Sequence, residues 1–249
     1  MRGEAGYPLR LRFAKQGKVR FVSHRDVARA FERSLRIAAA PVAFTQGFSP
    51  RPKMSFGLAL AVGHESRAEY LDLELRDPAH LDGLVDALDA GLPEGLSVTG
   101  AATLSARAPA LQESVSAVAY QLRPAGLSAE TLAAAAAALR DAASVSVETT
   151  RKGHPLTVDV RPSLRYLEVE PSTSTLTVEI STRPRAARAG EILAALYHLA
   201  GVEPGEGEDR VLRTHQWIER DGARREPLAA DRATPAPAGT GPRALEAYA

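Results

Sequence analysis

Two kinds of periodicity alternate along this chain in a fixed order, and that order limits the fold more than any single motif does. Leu9, Leu11 and Phe13 alternate with Arg10 and Arg12, the period of two expected of a half-buried strand. Ser23, with Asp26 three residues on, opens a helical pattern that runs to Ala39 and stacks Val27, Ala30, Phe31, Leu35 and Ala38 on one face. Pro41 stops it. Strand-like segments follow over Val42 to Phe44, Met54 to Val62 and Tyr70 to Leu75, the first two separated by the stiff loop Gln46-Gly47-Phe48-Ser49-Pro50-Arg51-Pro52. A second helix after Pro78 turns Leu81, Leu84, Val85 and Leu88 inward and Asp82, Asp86 and Asp89 outward. It ends at Gly91-Leu92-Pro93, and Leu96 to Leu104 gives a last strand. The order strand, helix, strand, strand, helix, strand is the ferredoxin-like one, in which helices cover one face of an antiparallel sheet.

The pattern then restarts. Ala106 to Ala110 reads as a linker, Val115 to Leu122 as a strand and Ser128 to Ala142 as an Ala-rich helix. Val145 to Thr149 and Leu156 to Val160 make a hairpin; Leu164 to Glu168 and Leu176 to Ile180 add strands; Gly190 to Leu199 is a helix and Val211 to Ile218 a closing strand. The expected fold is therefore α+β, with two tandem ferredoxin-like modules over residues 1–105 and 111–220. From Asp221 to Ala249 the chain is rich in Ala, Pro, Gly and Arg, too poor in large apolar residues to offset ordering entropy, and is expected to be a disordered tail.

Charge is distributed unevenly. The first 56 residues hold twelve Lys and Arg against three acids, whereas Gly57 to Ser105 holds nine acids against two Arg, although the 249-residue chain carries a net charge of only +1. At about 100° per residue, Arg25, Arg29, Arg33 and Arg36 fall within an arc of roughly 80° on the first helix. Flanked by Lys15, Lys18, Arg20, Arg51 and Lys53, this stripe has the character of a surface for a polyanion, which binds through phosphate neutralisation and counterion release. A solvated helix face is the plain alternative, and a preference for Arg over Lys inflates such counts.

With no cysteine, the chain cannot ligate an iron–sulfur cluster, build a thiolate zinc site or use a cysteine nucleophile. The six histidines show no metal-ligand spacing, and the motifs of metalloproteases, phosphate-binding loops and dinucleotide folds are missing. No metal, cofactor or catalytic residue is assigned. No apolar signal core and no run long enough to span a membrane is present, so a cytoplasmic location is expected. Of the possible acid–base groups, Asp72 and Glu74 share one face of their strand while Glu69 faces the other way, and cross-strand pairing competes with any catalytic role.

Several positions carry two readings. Ser23, His24 and Arg25 at a helix start can hold a phosphate, or simply cap the helix. In the loop, Gly47 permits close backbone approach and Phe48 can stack on a base while Arg51 and Lys53 meet phosphates; or Phe48 is tucked into the core. Arg151 and Lys152, with His154 and Arg161 near a hairpin, extend the basic surface or serve solubility. Trp217, the single Trp, fits core or interface packing better than base stacking.

Taken together, Arg12-Phe13-Ala14-Lys15, Gly17 to Asp26, Phe31-Glu32-Arg33, Gly47 to Phe56 and Glu69-Tyr70-Leu71-Asp72 resemble the radical-SAM-linked protein family, a domain of unknown function. The likeness is dense over Leu9 to Leu75 and thins through Val158-Asp159-Val160-Arg161-Pro162 and Arg213-Thr214 towards Ile218. What it implies is association with a cobalamin-binding radical SAM enzyme, with no catalytic residue to carry over. The expectation is a non-catalytic accessory protein that presents a structured RNA, tRNA or rRNA, to such an enzyme. The alternatives are a docking module that touches no nucleic acid, and a stand-alone RNA-processing enzyme with His24 as its acid–base group.

Overall fold

A computed structural model describes residues 6–105, 108–151, 153–205 and 207–233. The strands are β1 (Tyr7–Lys15), β2 (Met54–Phe56), β3 (Glu65–Leu75), β4 (Leu96–Thr103), β5 (Ala117–Arg123), β6 (Ser146–Arg151), β7 (His154–Asp159), β8 (Leu164–Glu170), β9 (Thr175–Ser181), β10 (Arg210–Arg220) and β11 (Ala223–Arg225). Between them lie the helices α1 (His24–Ile37), α2 (Leu81–Gly91), α3 (Leu111–Ser114), α4 (Ala129–Asp141), α5 (Ala189–Ala200) and α6 (Pro227–Ala230). The protein is a mixed α+β fold on a mostly antiparallel sheet.

The two halves do not form separate sheets. One nine-stranded sheet runs β4-β1-β3-β10-β5-β9-β8, with β2 on β3 and β11 on β10, and β6-β7 stands apart as a hairpin. The halves join where β3 and β10 pair in parallel, at Leu212 opposite Glu65 and Arg213 opposite Ser66. One cross-strand row, Lys15, Ser66, Arg213, Tyr120 and Val178, therefore crosses five strands on the same face. On that face Leu9, Leu11, Phe13, Leu71 and Leu73 pack against Val27, Phe31 and Leu35 of α1 and Leu84 and Leu88 of α2. Tyr120, Leu122 and Val178 pack beside Leu132, Leu139, Ile192 and Leu196 of α4 and α5. All four long helices thus cover one side.

The other side of the first half is covered by the segment expected to be a disordered tail. Residues 221–233 are ordered, because fully buried Arg10 holds them: it donates to Asp72 at 2.7 and 3.0 Å, to Asp231 at 2.9 Å and to the Pro227 carbonyl at 3.1 Å. Asp231 also accepts from Arg220 at 3.0 Å, and the Tyr70 hydroxyl bonds Glu226. A buried arginine with two carboxylates supplies what composition alone did not reveal. Residues 234–249 lie outside the described residues, as do 106 and 107 of the expected linker.

Two further expectations give way. The run Met54 to Val62 forms a strand only to Phe56, and Gly57–Gly63 leaves the sheet as an apolar loop whose Leu58 and Ala59 carbonyls accept from Arg213 at 3.0 and 2.8 Å. Val42 to Phe44 makes isolated bridges rather than a strand. No helix among the described residues is long and apolar enough to cross a membrane.

Candidate nucleic-acid interface

Ser23 starts α1 as its N-cap: its hydroxyl accepts from the Asp26 amide at 3.3 Å and donates to the Asp26 carboxylate at 2.7 Å. That hydroxyl holds the Asp26 carboxyl below the usual carboxylate range. The helix N-terminus is therefore already occupied by the chain's own anion, and Ser23 is a cap rather than a phosphate ligand. His24 is exposed and meets the Phe56 ring edge-on, 4.8 Å between centroids.

From here the stripe rises along the solvent side of α1. Arg25, Arg29, Arg33 and Arg36 are all exposed, opposite buried Val27, Phe31, Ser34 and Leu35. Arg29 reaches Asp26 at 3.3 Å; among the described residues Arg25, Arg33 and Arg36 have no carboxylate partner.

The flanking cations divide. Lys18 is exposed. Lys15 is buried and donates to the Arg20 and Val22 carbonyls, each at 3.1 Å, so it does not belong to the surface; burial pulls its ammonium below the ordinary lysine value against the opposing field of Glu69. Arg20 is mostly covered, pairs with Glu208 at 2.5 Å and lies over the exposed Phe21 ring. Strand alternation does not tell a buried lysine from an exposed one when the sheet extends past it.

Beyond α1 the chain forms a narrow hairpin. Phe44 bridges Pro52, the Thr45 amide donates to the Arg51 carbonyl at 2.8 Å, and the Lys53 amide donates to Ala43 at 2.7 Å. At the tip Gly47 takes a φ of 129°, which a side chain rarely tolerates, and Phe48 stands fully in solvent. Phe48 is not tucked into the core. Arg51 is exposed beside it, whereas Lys53 is tied to both Glu74 oxygens at 3.0 Å.

The second half contributes less. The Arg151 side chain and all of Lys152 lie outside the described residues. His154 is exposed. Arg161 is occupied, donating to the Ala142 and Arg140 carbonyls at 3.0 and 2.9 Å and so closing the end of α4. Trp217 is half-buried on the face opposite the four long helices, stacked on His215 with Arg224 over its ring.

The acids expected to have cross-strand partners have them, though not the arginines nearest in sequence. Glu69 pairs with buried Arg213 at 2.8 Å, Asp72 with Arg10, Glu74 with Lys53. Mutual pairing leaves none of the three as a free acid–base group. Among the described residues no group of three His, Asp or Glu side chains is placed to hold a metal ion. Sequence reasoning missed the apolar loop 57–63, exposed at Ala59, Ala61 and Val62, which runs beside Phe21, the Gly63 amide donating to the Arg20 carbonyl at 2.9 Å. Its bracketing glycines were the available signal.

A family model described as an uncharacterized protein conserved in bacteria (DUF2344) matches residues 8–189, most of the chain, and the protein belongs to that family. No curated protein matches it.

Proposed function

We propose that this member of the family is a non-catalytic RNA-binding accessory protein, which uses α1 and the Phe44–Pro52 hairpin to present a structured RNA, tRNA or rRNA, to a radical SAM enzyme in the cytoplasm. The observation that carries the reading is the exposed stripe itself: Arg25, Arg33 and Arg36 point to solvent without carboxylate partners, the state in which guanidinium groups are free to meet phosphates. Phe48, fully exposed at a hairpin tip beside Arg51, supports a stacking contact with an unpaired base. The strand orders β4-β1-β3-β2 and β10-β5-β9-β8, each antiparallel throughout, support two ferredoxin-like units merged edge to edge. The enzyme partner rests on the sequence resemblance, and the chain itself holds no cofactor in this reading.

One observation favours the second reading, docking onto the enzyme without RNA. Phe21 and Val62 are exposed apolar side chains near the start of α1, with Lys18 and Arg25 at their margin, a composition suited to an acidic protein surface. Purification from native cells at low salt, with and without nuclease, separates the two. One RNA class recovered with the protein, and lost when Arg25, Arg29 and Arg33 become Ala, supports RNA presentation. A radical SAM enzyme that stays bound after nuclease, with no RNA enriched, overturns it in favour of docking.

A further inference from the structure

An open cavity of about 590 Å³ lies on the face opposite the four long helices, at the root of the Phe44–Pro52 hairpin, within the size range of small-ligand sites. Its apolar lining comes from Pro8, Pro52, Met54 and Leu104. Its polar groups sit in two cross-strand rows: Pro8 faces Glu74, and Ser55 faces Asp72. Both carboxylates are fixed from behind or beside: Asp72 by Arg10 at 2.7 Å, Glu74 by Lys53 at 3.0 Å. Each keeps unused lone pairs, and both side chains remain partly open, 23% for Asp72 and 35% for Glu74. Thr45, Pro52 and Lys53 belong to the hairpin segment and to the cavity wall at once, so the cavity adjoins the hairpin assigned to RNA, on the sheet face opposite α1.

We propose that this cavity receives one nucleobase extruded from the bound RNA and selects bases that carry an amino group, guanine foremost. The inference rests on the RNA reading above. Guanine offers two N–H donors, on the ring and on the amino group, for the lone pairs that Asp72 and Glu74 keep beyond their bonds to Arg10 and Lys53, whereas cytosine and adenine offer an amino group alone. Uracil presents its single N–H between two carbonyl oxygens, which the paired carboxylates Asp72 and Glu74 repel. Pro8, Pro52 and Met54 provide an apolar wall for the faces of the base.

The test titrates the full chain with the 5′-monophosphates of guanosine, adenosine, cytidine and uridine, by calorimetry or by chemical-shift changes. Guanosine monophosphate is expected to bind at least about tenfold more tightly than uridine monophosphate, a margin that one charge-assisted hydrogen bond supplies. Glu74→Gln is expected to remove about the same factor for guanosine monophosphate, to weaken binding of intact tRNA in the same direction, and to leave the chain folded with a melting temperature close to the native one. Asp72 is left unsubstituted because it holds Arg10. Equal binding of all four nucleotides, binding of none, or unchanged guanosine monophosphate affinity in the folded Glu74→Gln protein overturns the proposal. If tRNA binding still depends on the α1 arginines in that event, only the cavity assignment falls; if it does not, the RNA reading falls with it.

Discussion

Arg10 and Arg213 lie on strands and disappear into the interior, whereas Arg25, Arg29, Arg33 and Arg36 lie on α1 and stand in water. Residue type does not separate the two groups; position does. On β1 and β10, register brings each arginine against an acid, Arg10 opposite Asp72 and Arg213 one strand away from Glu69, and the low-dielectric surroundings make the pairing obligatory. Burial lowers the basicity of both, but the partner carboxylates outweigh it, so both stay charged. On α1 the same side chains project from the solvent face of an amphipathic helix, where Arg29 reaches Asp26 and, among the described residues, Arg25, Arg33 and Arg36 meet no carboxylate. The buried set ties the halves and the C-terminal segment together, and the exposed set is left for a partner.

The sharpest way to break that distinction is Arg213→Ala. It strands Glu69 in the interior and removes the donor to the Leu58 and Ala59 carbonyls, for an expected loss of about 3–5 kcal/mol. A urea unfolding midpoint equal to that of the native chain would show that the seam does not depend on this pair. Asp231→Ala should cost less, about 1–3 kcal/mol, because Asp72 still neutralises Arg10. Earlier proteolytic cleavage within residues 221–233 is the expected signature, and native protease resistance would contradict the anchoring role of Arg10.

A smaller effect comes from two histidines. Burial is the main reason that His64 and His215 sit below the ordinary 6.5. Arg213 and Lys15 push His64 further down while Asp209 opposes them; at His215, Arg12 and Arg224 push down while Glu226 and Glu179 oppose. Between each folded value and 6.5 the unfolded chain binds more protons, so stability should rise with pH through that window and fall on acidification below about pH 6.5. His64→Gln should flatten the dependence, and a midpoint that holds steady or climbs on acidification would refute it. Smallest of all, Arg33→Ala should change stability by less than about 0.5 kcal/mol; a larger loss would mean that the stripe is structural.

Much of the backbone was legible. The alternation in β1, the Ser23 cap of α1, and the apolar face of Leu81, Leu84, Val85 and Leu88 in α2 are local signals, and each produced the expected element. What failed was non-local. Arg10 and Asp231 are 221 positions apart, and no window of sequence could reveal that a Pro- and Ala-rich segment carries the acid that anchors it. Met54 to Val62 has Ser55 as its one polar side chain, so periodicity could not tell a long strand from a short strand and a loop held by a distant arginine. At the candidate interface the helical stripe was readable because its geometry repeats every turn. The fates of Lys15 and Lys53 depended on neighbours that only the folded sheet supplies.

The most direct test is the salt dependence of RNA binding for the native chain and for the triple variant in which Arg25, Arg29 and Arg33 become Ala. Each phosphate contact contributes about 0.9 to the slope of log affinity against log salt on a duplex. The account expects the variant to fold normally, to bind tRNA more weakly, and to lose about three units of slope or somewhat fewer. Identical slopes and affinities for the two proteins would contradict it and assign the stripe to the solvated surface.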